Sequence, residues 1–263
     1  MSVDVIIIAL MLFFSFVTAF VFSNVGLGGG LLYMPILTLL GAMSFPAARP
    51  ISLAFAIATT GLAAYNHAKK DLVDFRLGGM SVIGTLIGTV LGYVFIVNVP
   101  ENVPGLMFSV FIMAIAAKMI YDLRRTGEAV PARPSNLVMY PVIAIVTITS
   151  GFLSISLGIG GGVLLVPLFI YIAALPTKKA AGTSSFTAMF TTMSGLMILL
   201  AFGGPLTMDI PIALFLILAV VLGAFIGSRW GIRELKSRSV LLLIVAMMML
   251  SSVLMALKYL GYL

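Results

Sequence analysis

Residues 26–35, GLGGGLLYMP, recur 132 positions later at residues 158–167 as GIGGGVLLVP. Four glycines and a proline match in place, and the positions between them are apolar or aromatic. Each copy ends one apolar run and opens another, so continuous helix is interrupted at corresponding points of two half-chains. In a membrane protein, non-helical backbone is tolerated only where it is buried in protein or lines a wet cavity. Paired interruptions of this kind mark a binding site at an interface between repeats.

The composition places the chain in a bilayer. It is 62% hydrophobic and 9% charged, against roughly 25% charged residues in soluble domains, and its mean hydropathy is +1.23. Several apolar runs reach the ~20 residues needed to cross a hydrocarbon core. No run of alternating polar and apolar residues fits a membrane barrel. With 26 glycines, close helix packing in lipid is expected. Zero cysteines exclude disulfides and thiolate metal or redox chemistry. The net charge of +7 reads as basic loops between spans, not as a nucleic-acid surface. No Lys or Arg precedes the first apolar run, which predicts a retained span there and not a cleaved signal.

Apolar segments fall at 3–23, 28–43, 47–66, 75–97 and 103–123, and then at 137–156, 160–174, 177–202, 208–231 and 240–260. The predicted fold is an all-α integral membrane protein of about ten transmembrane segments, with helices broken at the Gly-rich loops. Residues 1–123 form a first repeat, 124–136 a cytoplasmic linker, and 137–263 a second repeat. An odd number of segments per repeat inverts the second copy. With the N-terminus outside, 13 of the 15 basic residues fall on one side. Arg49 and Lys258 are the exceptions, and Asp4, Glu101 and Asp209 lie on the other side. The positive-inside rule then makes the basic side cytoplasmic, with both termini outside a plasma (cell inner) membrane.

Two further registers extend the repeat. Aligning Pro46 with Pro176, after a two-residue gap, pairs Arg49 with Lys179 and Ser52 with Gly182. Gly84, Gly88 and Gly92 align with Gly223, Gly227 and Gly231, with helix packing as their expected role.

The candidate site follows from the breaks. A broken helix leaves N–H groups at the start of the next segment, where their partial positive charge suits an anion. Gly28, Gly29 and Gly30 in one copy, and Gly160, Gly161 and Gly162 in the other, let backbone approach the ligand. Asn24 precedes the first loop; Ser154 and Ser156 precede the second. Ser52, Thr183, Ser184 and Ser185 supply hydroxyls from neighbouring segments, although such hydroxyls often bond their own helix. Arg49 and Lys179 are candidate vestibule charges that draw the anion in.

All eight acidic residues lie in loops or at span ends, so no intramembrane carboxylate marks a proton relay. His67 is expected at a cytoplasmic helix end. A membrane potential of 100 mV, worth about 2.3 kcal/mol per charge, suffices to drive anion export. A coupling ion, proton or sodium, stays open, since backbone ligands leave no trace in sequence. Neither a serine–histidine pair on facing spans nor a metal-binding constellation is present, so no enzyme and no cofactor is expected. An anion channel and a non-transporting membrane scaffold remain alternatives to a carrier.

The second copy, GIGGGVLLVPLFIYIAALPTKKAAGTSSF, together with its echo GLGGGLLYMPILTLLGAMSFPAARPISLAF, resembles the sulfite exporter TauE/SafE family, also called the toluene sulfonate uptake permeases. The resemblance covers nearly the whole chain. It implies transport of small sulfur-containing anions: sulfite, thiosulfate, sulfoacetate or other organosulfonates. The first copy departs from the pattern at Arg49-Pro50-Ile51-Ser52, which implies an asymmetric site.

Overall fold

A computed structural model describes residues 5–100, 102–124, 135–203, 210–234 and 238–261. Asp4, Glu101, Asp209 and most of the expected linker at 124–136 lie outside these residues. Every regular element among the described residues is helical. The helices are α1 (Val5–Val25), α2 (Gly30–Pro35) running into a π-helical turn (Ile36–Leu40), α3 (Phe45–Ala68), α4 (Phe75–Val97) and α5 (Asn102–Arg124). They are followed by α6 (Asn136–Leu157), α7 (Gly162–Tyr171), α8 (Thr177–Phe202), α9 (Ile210–Glu234) and α10 (Arg238–Tyr259).

Seven of these are long and apolar enough to cross a membrane. Residues 30–40 and α7 are not: ten or eleven residues rise only about 16 Å, half of a ~30 Å hydrocarbon core.

The side chains of α4 are arranged inside out for water and correctly for lipid. On α4 the buried residues are Gly78, Ser81, Thr85, Gly88, Thr89 and Gly92. Its exposed face carries Ile83, Leu86, Ile87, Val90, Leu91 and Val94. Small and hydroxylated residues meet neighbouring helices while large apolar ones face the hydrocarbon, because apolar burial drives nothing where the solvent is itself apolar. Asp74 starts this helix, its carboxylate accepting the Leu77 N–H at 3.0 Å.

Glycine contacts and two hydrogen bonds give the relative directions of α1, α3, α4, α6, α8 and α9. Gly223 lies against Phe16 and Ala19, and Gly227 against Phe20 and Ser23, so α9 runs parallel to α1. Gly84 meets Thr147 and Gly92 meets Ile155, so α4 runs parallel to α6. Gly78 packs on Phe186, and Tyr93 Oη donates to Phe202 O, which puts α8 in the same direction as α4. Gly61 faces Met189 while Gly195 faces Leu53, so α3 and α8 are antiparallel. The C-terminal parts of α3 and α9 meet where Asn66 Nδ2 donates to Ser228 Oγ at 2.7 Å. Helices α1 and α3 therefore run the same way, and residues 26–44 carry the chain back between them. Residues 158–176 do the same between α6 and α8.

Gly84, Gly88, Gly92, Gly223 and Gly227 sit at helix contacts, as expected, but their correspondence is shifted; the contacts of Gly231 lie outside those described. Gly88 and Gly223 meet Ile148 and Phe16, and Gly92 and Gly227 meet Phe152 and Phe20. These pairs are 135 positions apart, not 139. The glycine spacing is one helical turn, so a slip of one turn still aligns glycine with glycine.

Candidate functional site

Both loops take the same backbone path. Gly26, Gly28 and Gly29 have φ of 78°, 84° and 78°; Gly158, Gly160 and Gly161 have 71°, 84° and 72°. Side-chain-bearing residues pay steric strain in this left-handed region, so three glycines in four positions are required to shape each loop. The short helices that follow also end alike. Ala42 and Ala174 have φ of 49° and 54°. Met43 N donates to Leu37 O at 3.2 Å, and Leu175 N to Phe169 O at 2.9 Å.

The loops cross and touch. A Cβ on Gly30 would lie 2.5 Å from the Cα of Ile159, and one on Gly162 would overlap the carbonyl of Gly26 and the backbone of Leu27. A Cβ on Gly28 would come within 3.5 Å of Gly160 O. Each fourth glycine thus makes room for the opposite loop.

Two serines fasten the loops. Ser52 Oγ donates to Gly158 O at 2.7 Å, and Ser184 Oγ to Gly26 O at 2.8 Å; both serines are 0% exposed. Ser184 also lies 3.3 Å from Gly162 O. The methyl groups of Thr60 and Thr192 take matching places beside Gly28 and Gly160. One offset of 132 therefore holds from Gly26 and Gly158 through Thr60 and Thr192. This corrects the proline-based register: Ser52 corresponds to Ser184 and not to Gly182, and Arg49 corresponds to Ala181 and not to Lys179. Pro46 lies within the first turn of α3, whereas Pro176 is the N-cap of α8. Proline suits either place, because the first N–H groups of a helix have no partner within it.

The other candidate hydroxyls are engaged elsewhere. Thr183 and Ser185 donate to Lys179 O and Ala181 O, four residues back on α8, at 2.8 and 2.9 Å. Asn24 Nδ2 donates to Phe20 O at 2.8 Å, and Ser156 Oγ lies 3.4 Å from Gly92 O. Ser52 and Ser184 are thus the two candidate hydroxyls that reach across to the glycine loop of the other half.

The two cations differ in setting. Arg49 is 5% exposed; its Cγ lies 3.3 Å from a Cβ built on Gly158, and its guanidinium sits 5.6 Å from the Phe45 ring centre. Lys179 is half-buried in the first turn of α8. Lys258, the other exception to the charge rule, donates from Nζ to Thr38 O at 2.6 Å and Met43 O at 3.3 Å. It caps the carbonyl end of the first short helix, where the helix dipole favours a cation.

Three contributors escaped the sequence reading: Ser150, Tyr33 and the capping role of Lys258. Ser150 Oγ donates to Gly161 O at 2.5 Å. Tyr33 Oη and Thr59 Oγ1 share a 2.7 Å hydrogen bond. Ser150 is eleven residues from its partner, and no local pattern signals that pairing.

These features define a multi-pass helical membrane protein organised around two buried, mutually packed helix breaks. A model of the sulfite exporter TauE/SafE family matches residues 11–255, and the chain belongs to that family. It is 24% identical over 244 residues to the probable membrane transporter protein YunE of Bacillus subtilis, covering 84% of this chain and 87% of YunE. A probable membrane transporter protein of Haemophilus influenzae is 25% identical over 220 residues, covering 78% and 80%. The probable membrane transporter protein MamO of Magnetospirillum gryphiswaldense is 24% identical over 243 residues, and the chain spans 38% of MamO's length. No solved structure matches the chain.

Proposed function

We propose that the protein is a plasma-membrane carrier of small sulfur-containing anions such as sulfite, thiosulfate, sulfoacetate or other organosulfonates, working by alternating access about the paired glycine loops. Export is the favoured direction, since an inside-negative potential expels anions. The observation that carries this reading is the buried meeting of the two loops, tied by Ser52 to Gly158 and by Ser184 to Gly26. Two helix starts converge there, supplying backbone donors to a ligand that needs only acceptors satisfied. The names of the relatives support transport, and the family's description supports sulfite among the substrates.

In this reading the halves are inverted repeats with ten crossings. The antiparallel course of α3 and α8 favours it, as does the return of the chain at residues 26–44 and 158–176. Both termini then lie outside. Full burial of the loop glycines corresponds to a closed stage of the cycle, with rocking of one half against the other opening each side in turn.

The test is uptake of labelled sulfite, thiosulfate and sulfoacetate into proteoliposomes. The expected result is saturable flux of at least one anion, accelerated by the same anion on the far side. Folded protein that moves none of them would refute the proposal.

A further inference from the structure

We infer that the anion is held at one of the two loops only, at the start of α7, with Ser154 as a hydrogen-bond donor to it. This rests on the carrier reading above.

Helix α7 is ten residues long, Gly162–Tyr171, and its N-cap Gly161 gives it no side-chain cap; the Gly162 N–H donates to Gly160 O at 2.9 Å. The N–H groups that follow Gly162 in the first turn are not claimed by a capping side chain. Beside it lies Ser154, 0% exposed, whose Oγ has no hydrogen-bond partner. The Cβ of Ser154 is 3.6 Å from a Cβ built on Gly161. Ser150, one turn earlier on α6, holds the Gly161 carbonyl and so fixes the loop against this helix. Buried hydroxyls without partners are uncommon, because each forfeits its hydration for nothing. A ligand oxygen seated at the start of α7 would accept from Ser154 and from the helix N–H groups together.

The first loop differs: Thr18, 132 positions before Ser150, also keeps a buried hydroxyl without a partner, but it is not among the atoms nearest a Cβ at Gly29. The position 132 residues before Ser154 is Phe22, 1% exposed. The space over Gly29 is filled by the ring of Tyr33, 2.6 Å from a Cβ built there, with its hydroxyl engaged by Thr59. The Phe22 ring stands where the second half has Ser154, and the Tyr33 ring covers Gly29 where Ser150 flanks Gly161. The backbone repeats while the side chains against it do not, so a partnerless hydroxyl stands beside Gly161 and an aromatic ring beside Gly29.

The chain contains no cysteine, which makes single-thiol variants direct reporters. The experiment uses full-length protein in proteoliposomes. Ser154→Ala should raise the KM of the transported anion about tenfold with little change in maximal rate, the loss of one hydrogen bond to a charged ligand. Ser154→Thr, which keeps the hydroxyl, should restore it. Ser154→Cys should be alkylated by N-ethylmaleimide more slowly when whichever of sulfite, thiosulfate or sulfoacetate the parent transports is present. Phe22→Cys, the control for consumption of reagent by the anion, should show no such protection beyond that background. A parental KM in Ser154→Ala, or equal protection at the two thiols, overturns the inference while leaving the carrier reading intact. A parent that transports none of the three anions overturns both.

Discussion

Ser184 on α8 donates its hydroxyl proton to the carbonyl of Gly26, 158 positions away in the chain, at 2.8 Å. Gly26 is in the left-handed conformation that ends α1, so this carbonyl has left the regular helix ladder. The serine ties the end of one half to a helix of the other.

Ser184→Ala and Ser52→Ala should therefore behave alike. Each strips a buried carbonyl of its side-chain donor, which costs about 1–2 kcal/mol. Ser185→Ala removes a hydroxyl that bonds only its own helix and should change stability by less than about 0.5 kcal/mol. Thermal unfolding in detergent measures all three. A large difference between the Ser52 and Ser184 variants would contradict the shared offset.

Gly30→Ala and Gly162→Ala push a methyl into the backbone of the opposite loop. Both should abolish anion flux and broaden the size-exclusion profile of purified protein. Gly79 on α4 has nothing within 4 Å of a built Cβ, so Gly79→Ala should be neutral or stabilise by about 0.5–1 kcal/mol through helix propensity.

Lys258→Met removes the ammonium from Thr38 O and Met43 O. Amide hydrogen exchange should accelerate across residues 36–43, and stability should fall by about 1 kcal/mol for a half-buried, charge-assisted contact. Unchanged exchange there would show that α10 does not restrain the first short helix.

Arg49 and Lys179 should separate sharply in flux. Loss of a buried cation beside the Gly158 loop removes attraction in a low-dielectric setting, so Arg49→Met should reduce anion uptake at least about tenfold. Lys179→Met should change uptake less than about twofold, because solvent and salt screen a partly exposed charge. Equal losses would restore the idea of two matched vestibule charges.

The fold class was legible because lipid imposes a length and a composition on each crossing. Segments 75–97 and 177–202 coincide with α4 and α8 to the residue. The glycine loops were legible because left-handed backbone selects one residue type, and that selection is written locally. Register beyond the loops was not. Pro46 and Pro176, like the glycines of α4 and α9, satisfy their local rule at more than one position, so residue identity matched where contacts did not. The roles of Ser150 and Lys258 were hidden for a different reason. Each is defined by a partner brought near by the fold, Gly161 across a helix break and Thr38 from the far end of the chain.

The crossing of the loops has an evolutionary corollary. Gly30 needs Ile159 against it, Gly162 needs Leu27, and each fastening serine belongs to the opposite half. Under the inverted-repeat reading proposed above, a half-length ancestor with one such loop would have found these partners only in a second copy of itself, turned upside down.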